Sequence, residues 1–163
     1  MNEKTTNSIP TPKAADEQLG RTEAAGLGTV VSSQHVMAYE ADTGIFRFAQ
    51  NGTMTEADAL ELINRISQSG FGDAFFVLGD HRNATTTTAG ARKAFTQFDL
   101  ANDVYFAAFG ASFAFRSIIT MVFKAVSVML PRFVGVVFSE EAEARAWLRE
   151  KQGAQGAVRA ATT

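Results

Sequence analysis

The chain has 163 residues, 46% apolar and 20% charged, with a net charge of −2. This suits one globular domain and excludes the basic stripe that nucleic-acid binding needs. Cysteine is absent, which excludes disulfides and thiolate metal sites and fits a reducing, cytoplasmic setting.

Residues 1–34 are polar, rich in Thr, Ala, Gly and Glu, and hold two of the three prolines. They show no sustained periodicity and no apolar core of a secretory signal, so they are expected to form a disordered arm. The folded domain is expected over residues 35–152. HVMAYEAD, from His35, reads as a first strand, Asp42-Thr43-Gly44 as a turn, and IFRFAQNG as a second strand. In that second strand Phe46 and Phe48 share a face opposite Arg47. The two strands make a hairpin.

Thr55 followed by Asp58 imitates a capping box, and Glu56 adds negative charge to the same helix start. Leu60, Ile63 and Ile66 recur at helical spacing, and Gly70 ends the helix. DAFFVLGD is a continuous apolar run, as in strands covered on both faces. A loop with four threonines, Thr85 to Thr88, follows it. A second helix is expected from about Ala89 to Ala101, with Ala91, Phe95 and Phe98 on one face. DVYFAAFGAS then reads as a strand and residues 113–130 as a long helix that Pro131 stops. RFVGVVFS is a further strand. Ser139, Glu140 and Glu141 open a last helix whose packing face is Ala144, Trp147 and Leu148. Residues 153–163 read as a disordered tail.

The order β-β-α-β-α-β-α-β-α predicts a small α/β sandwich. Its mixed sheet opens with a hairpin and continues through alternating β-α units, mostly parallel. The helix over 113–130 is apolar around most of its circumference. Arg116 and Lys124 lie inside it, and each would cost roughly 2.5–3.5 kcal/mol at mid-bilayer. No stable membrane insertion is expected. The apolar surface of this helix is expected to be deeply packed, or to serve a ligand or a partner, a second copy included.

This order of elements resembles the STAS domains, which include anti-sigma-factor antagonists, and more specifically the SpoIIAA-like group with its CRAL-TRIO-related fold. The resemblance covers roughly residues 35–150. It is carried by Phe46 to Phe48 with GTMTEADA, and by FFVLGD, GARKAF, AFGASF and VVFSEEAEARAWL. It implies a non-enzymatic regulatory module that meets a protein partner, such as a kinase-like anti-sigma factor. In antagonists a serine of an Asp-Ser-Ser-Gly motif is phosphorylated by that partner. Here the motif falls on Thr87-Thr88-Ala89-Gly90: Thr88 stands at the phosphoserine and Gly90 matches, while Thr87 replaces Asp and Ala89 replaces the second Ser. The resemblance thus makes Thr88 and Thr87 candidate phosphorylation sites. It places partner contacts on Thr86, Gly90, Arg92 and Lys93.

The residues themselves offer plainer readings. The threonines can simply cap a helix and fill a loop. A phosphate-binding P-loop needs several glycines and a Lys-Ser/Thr pair, and only Gly90 is present. Asp80 and His81 are adjacent, but strand neighbours point to opposite faces, so no catalytic dyad is expected. The second histidine, His35, is far away in sequence, and no ligand-spaced cluster suggests a metal. No cofactor is expected. Phe109, Phe113 and Phe115, with Met121, crowd the start of the apolar helix and are candidates for an apolar pocket. A small lipid or other apolar ligand is therefore the alternative function.

Overall fold

The computed structural model describes residues 30–32, 34–68, 74–97 and 102–161. Six strands form one sheet: β1 (Val30–Ser32), β2 (His35–Glu40), β3 (Ile45–Met54), β4 (Ala74–Thr87), β5 (Asp103–Phe109) and β6 (Phe133–Val137). They lie side by side in chain order. The pairs β1/β2 and β2/β3 are antiparallel, and the remaining pairs are parallel. Among the described residues there are four helices: α1 (Glu56–Gln68), α2 (Ala89–Gln97), α3 (Phe113–Met129) and α4 (Glu141–Ala161).

Each parallel neighbour is reached through one helix, and every step moves the same way across the sheet. A single hand of crossover then puts all three connecting helices on one face. The larger core lies there: Phe46, Phe48, Val77 and Val104 of the sheet meet Leu62, Ala91, Ile119 and Phe123 of the helices. The opposite face is covered by α4, whose Ala144 and Leu148 pack on Ile45, Leu78, Ala107 and Phe109. The alternation in β3 sorts accordingly. Phe46 and Phe48 are buried, and Arg47 is half-buried on the α4 side, bonded to Asp80.

Local chemistry explains the boundaries. The Thr55 N–H donates to the Asp58 carboxylate at 2.9 Å, and the Asp58 N–H donates back to the Thr55 hydroxyl at 3.3 Å. That is the reciprocal capping box the sequence suggests. The β2–β3 turn closes with the Gly44 N–H donating to the Glu40 carbonyl at 2.8 Å, and Gly44 takes a φ of 67° that a side chain would strain. The Ser112 hydroxyl accepts from the Phe115 N–H to start α3.

Three expectations are corrected. Residues 30–32 form a strand inside the expected arm, because the β-branched Val30 and Val31 pair with Met37 and Val36. The threonine run is no loop: β4 continues through Thr87, with Asn83 opposite Asn51 and Thr86 opposite Thr53. The expected tail at 153–163 is helical through Ala161. Gly153 and Gly156 do not break it, since an alanine follows each and the Gln155 amide is anchored to Tyr105 at 2.7 Å and to Asp103 at 3.2 Å. The rest of the arm (1–29), Gly70, Phe98 and residues 162–163 lie outside the described residues.

Candidate functional site

Between the sheet and helices α1, α2 and α3 lies an apolar cavity of about 100 Å3. Its walls come from Phe48, Val77 and Phe106 of the sheet, Ile63 of α1, Phe95 of α2 and Ile119 of α3, among others. Three lining residues are polar: Gln50, His81 and Thr87. Protein interiors are close-packed, so a void of this size is a distinct feature.

The pocket residues expected from sequence are not the ones that line it. Phe109 points to the other face of the sheet, into the α4 core. Phe113 and Met121 are 90% and 71% exposed on the outside of α3. Phe115 is buried beside the His81 ring, with centroids 5.9 Å apart, without lining the cavity. The turns of α3 that face the sheet carry Phe115, Ile119, Phe123 and Val126, spaced by three and four residues.

His81 is 5% exposed. Strand alternation sends it into the cavity side while Asp80 goes to the α4 side, so the two are no dyad. On its own side Asp80 accepts from Arg82 and, at 3.2 Å, from Arg47. Hydrogen bonds from Arg82 are the main reason its carboxyl is held down to about 2, against the opposing effect of burial. Arg47 also lies 3.6 Å from Glu141, Glu141 binds Arg145, and Arg145 binds both oxygens of Glu40. This chain of charges ties β2, β3 and β4 to α4.

The protonation of His81 follows from its neighbours. Burial pushes its pKa down to about 4, only partly opposed by the Asp80 charge, so the ring is neutral at neutral pH. The Gln50 amide nitrogen donates to two carbonyls, of Thr86 at 3.0 Å and Gly52 at 3.2 Å. Its oxygen is therefore the atom 3.2 Å from His81 Nδ1. An amide oxygen only accepts, so Nδ1 carries the proton and Nε2 is a bare acceptor. Nε2 is fully buried and has no hydrogen-bond partner among the described residues. Leaving such a group unsatisfied costs about 1–3 kcal/mol.

Backbone irregularity makes this arrangement. Ala49 pairs with Asp80 and Asn51 with Asn83, so β4 carries an extra residue opposite Gln50. The bulge re-aims the strand at this point. Gly79 supplies the room: a Cβ there would stand 2.8 Å from His81 Nε2 and 2.5 Å from Phe106. Sequence reasoning missed Gln50, although a signal was present. Phe46, Phe48 and Gln50 share one face of β3, and a glutamine in line with two core phenylalanines asks for a buried partner.

The threonine residues have defined places. Thr87 is 8% exposed and lines the cavity. Thr88 is the N-cap of α2, its hydroxyl accepting from the Ala91 N–H at 3.2 Å. The Thr86 side chain is exposed, Gly90 sits against Glu56, and Arg92 donates to the Thr87 carbonyl. Lys93 is exposed. All of them lie near the junction of β4 and α2, but Thr87 is buried there and is not part of the surface. Among the described residues no group of three His, Cys, Asp or Glu side chains could hold a metal ion. No described helix is long and apolar enough to cross a membrane.

The structure is similar to that of an uncharacterized protein of the DUF3478 family from Shewanella loihica PV-4, which has a SpoIIAA-like fold. Identity is 14% and the TM-score 0.47, over 76% of this chain and 92% of that one. No family model matches the sequence, and no curated protein matches it.

Proposed function

We propose that this protein binds a small apolar ligand in the cavity between the sheet and helices α1 to α3, without transforming it. The carrying observation is a cavity of about 100 Å3 whose walls are apolar except for Gln50, His81 and Thr87. Apolar walls with a few placed polar groups are the common make-up of small-molecule sites. The volume sets the ligand's size. It is of the same order as the ~150 Å3 apolar cavity that accepts benzene. A single ring or a short branched chain fits.

The test is a methyl NMR titration with phenol and with fluorobenzene. The methyl groups of Ile63, Ile119 and Val126 should shift, while those of Ile45, Leu78 and Leu148, on the α4 side, stay in place. No shift with either compound at its solubility limit sinks this reading.

A second reading, an interaction module, has its own observation. Phe113, Met121, Val128 and Met129 are 63–90% exposed along α3. An exposed apolar stripe of this kind suits a protein interface. The regulatory role implied by the STAS resemblance would use that stripe or the surface around Thr86, Gly90, Arg92 and Lys93. Sedimentation over a wide concentration range tests whether a second copy covers the stripe. Self-association that Met121→Lys and Val128→Lys abolish supports it, and a monomer throughout removes the homodimer.

A further inference from the structure

We infer that β6 is a self-pairing edge: two copies of this chain join antiparallel along it, centred on Gly135, so that their sheets become one. This goes beyond both readings above, since it uses neither the cavity nor the exposed stripe of α3.

An open sheet leaves a row of unpaired backbone groups at each edge. Among the described residues the edges are β1 and β6. β1 has three residues, and a short edge is a protected one. β6 has five, FVGVV, with no charge and no proline, and its pairing with β5 shows no register shift. The charges, prolines and bulges that commonly blunt an edge are missing from it. Val134 is 41% exposed there.

The β5 ladder decides which groups face outward. The Val104 N–H donates to the Arg132 carbonyl and the Phe138 N–H to the Ala108 carbonyl, both at 2.8 Å. Alternate residues of a strand turn their backbone groups to opposite sides. Arg132, Val134, Val136 and Phe138 therefore face β5, and Phe133, Gly135 and Val137 face away. The Phe133 N–H turns back to the Leu130 carbonyl at 2.9 Å. The N–H groups of Gly135 and Val137, and the carbonyls of Phe133, Gly135 and Val137, have no partner among the described residues.

A second β6 supplies what these groups lack. With Gly135 opposite Gly135 of the second copy, each Gly135 N–H meets the other's Gly135 carbonyl. Each Val137 N–H meets the other's Phe133 carbonyl. Every free outward N–H is then satisfied, and the outward N–H left over, that of Phe133, is the one already bonded to Leu130. The side chains agree. Val134 falls opposite Val136 and Phe133 opposite Val137, apolar against apolar. Arg132 falls opposite Phe138 and meets no like charge. A foreign strand would satisfy the backbone too, but this match of bare N–H groups and apolar residues about one glycine favours a second copy. A five-residue edge is a small contact, so the dimer should be weak and concentration-dependent.

The chain has no cysteine, which makes the register readable. Val134→Cys and Val136→Cys are prepared as separate proteins, mixed in equal amounts and oxidised in a glutathione buffer. In the inferred register the two positions form a non-hydrogen-bonded pair with Cα atoms about 4.5 Å apart, within disulfide reach. The like pairs, 134 with 134 and 136 with 136, lie diagonally at roughly 7–8 Å, beyond it. The mixed disulfide should exceed either like disulfide about tenfold, where random collision gives about twofold.

Sedimentation equilibrium of the full chain measures the dimer itself. Val137→Pro removes an outward N–H and leaves the β5 ladder intact, so it should weaken the dimer about tenfold or more. Met121→Lys and Val128→Lys on α3 should leave it unchanged. A monomer at every concentration overturns the inference, and a foreign strand at this edge would show as that result. Like disulfides as abundant as the mixed one also overturn it. So does a dimer that the α3 lysines abolish and Val137→Pro spares. Should Val137→Pro fail to fold, the ratio of mixed to like disulfides decides.

Discussion

The side-chain oxygen of Gln50 lies 3.2 Å from Nδ1 of His81 across the β3–β4 pair. One amide thus serves three groups, since its nitrogen also donates to the carbonyls of Gly52 and Thr86. It closes the end of the sheet beside the cavity and fixes the imidazole's tautomer.

Gln50→Met keeps the size and removes all three bonds. It leaves a buried N–H of His81 and two carbonyls without their partner. The expected loss of stability is about 2–3 kcal/mol, well above that of an ordinary surface change. Urea denaturation with an unchanged slope checks this. A loss below about 0.5 kcal/mol would mean that the amide is not needed to satisfy these groups.

Stability should also depend on pH through the same ring. His81 ordinarily titrates near 6.5, and in the folded protein near 4. Between those values the unfolded chain binds a proton there and the folded chain does not. Stability therefore falls as pH drops from 6.5 to about 4, by on the order of 3 kcal/mol, and this contribution is level below that. Asp80 acts in the adjoining window. Its carboxyl is lowered from 3.8 to about 2, so its contribution is present above 3.8 and is lost as pH falls towards 2. His81→Phe should flatten the upper window and keep the lower one. Denaturation midpoints from about pH 7 down to about pH 3 measure both. A wild-type midpoint that stays level between about pH 6.5 and about pH 4 would show that the folded state accepts the proton freely.

Much of this fold is legible from local pattern, and the failures share a cause. Phe46, Arg47 and Phe48 announce their faces by alternation, and Thr55 with Asp58 announces a helix start. The run from Asn83 to Thr87 carries little apolar signal, so it reads as a loop. Its threonines nevertheless have strand propensity, and the run pairs with Asn51 to Met54, Thr86 opposite Thr53 and Thr87 opposite Met54. The cavity is less legible still. Its walls come from three helices and the sheet, and only their packing decides which face of α3 meets it. Phe113 and Met121 look like pocket residues by composition and lie on the outside of that helix. Gln50 and His81 are 31 residues apart and meet through a bulge. Hydrophobic periodicity does not encode such a meeting.

Thr88 offers a third test. Its hydroxyl accepts from the Ala91 N–H at the start of α2. Thr88→Ala should cost about 1 kcal/mol, as for other N-caps. Thr88→Asp should stay within about 0.5 kcal/mol of the wild type, because aspartate caps equally well and suits the positive helix end. Equal losses in both variants would show that the position matters for packing and not for capping. Thermal unfolding of the three proteins side by side decides between these.

The pairing of Arg145 with Glu40 holds α4 against the opening hairpin. Two bonds of 2.7 and 2.8 Å join the guanidinium to both carboxylate oxygens, and a third reaches Glu141 at 2.8 Å. The side chains of Arg145 and Glu40 are 23% and 22% exposed, so solvent screens them only in part. The hydrogen bonds that Arg145 donates to Glu40 are the main reason the Glu40 carboxyl is lowered, and they also lead in raising the Arg145 guanidinium. Arg145→Met keeps an unbranched apolar stem and removes the fork. It should cost about 1–2 kcal/mol, more than an exposed pair and less than a fully buried one. Arg145→Lys should recover less than half of that, because an ammonium does not engage both oxygens in parallel. A double-mutant cycle with Glu40→Gln isolates the pair from the Glu141 contact. A coupling near zero would mean that the Arg145–Glu40 pair adds nothing to the apolar packing of Ala144 and Leu148 and the Gln155 anchor in holding α4.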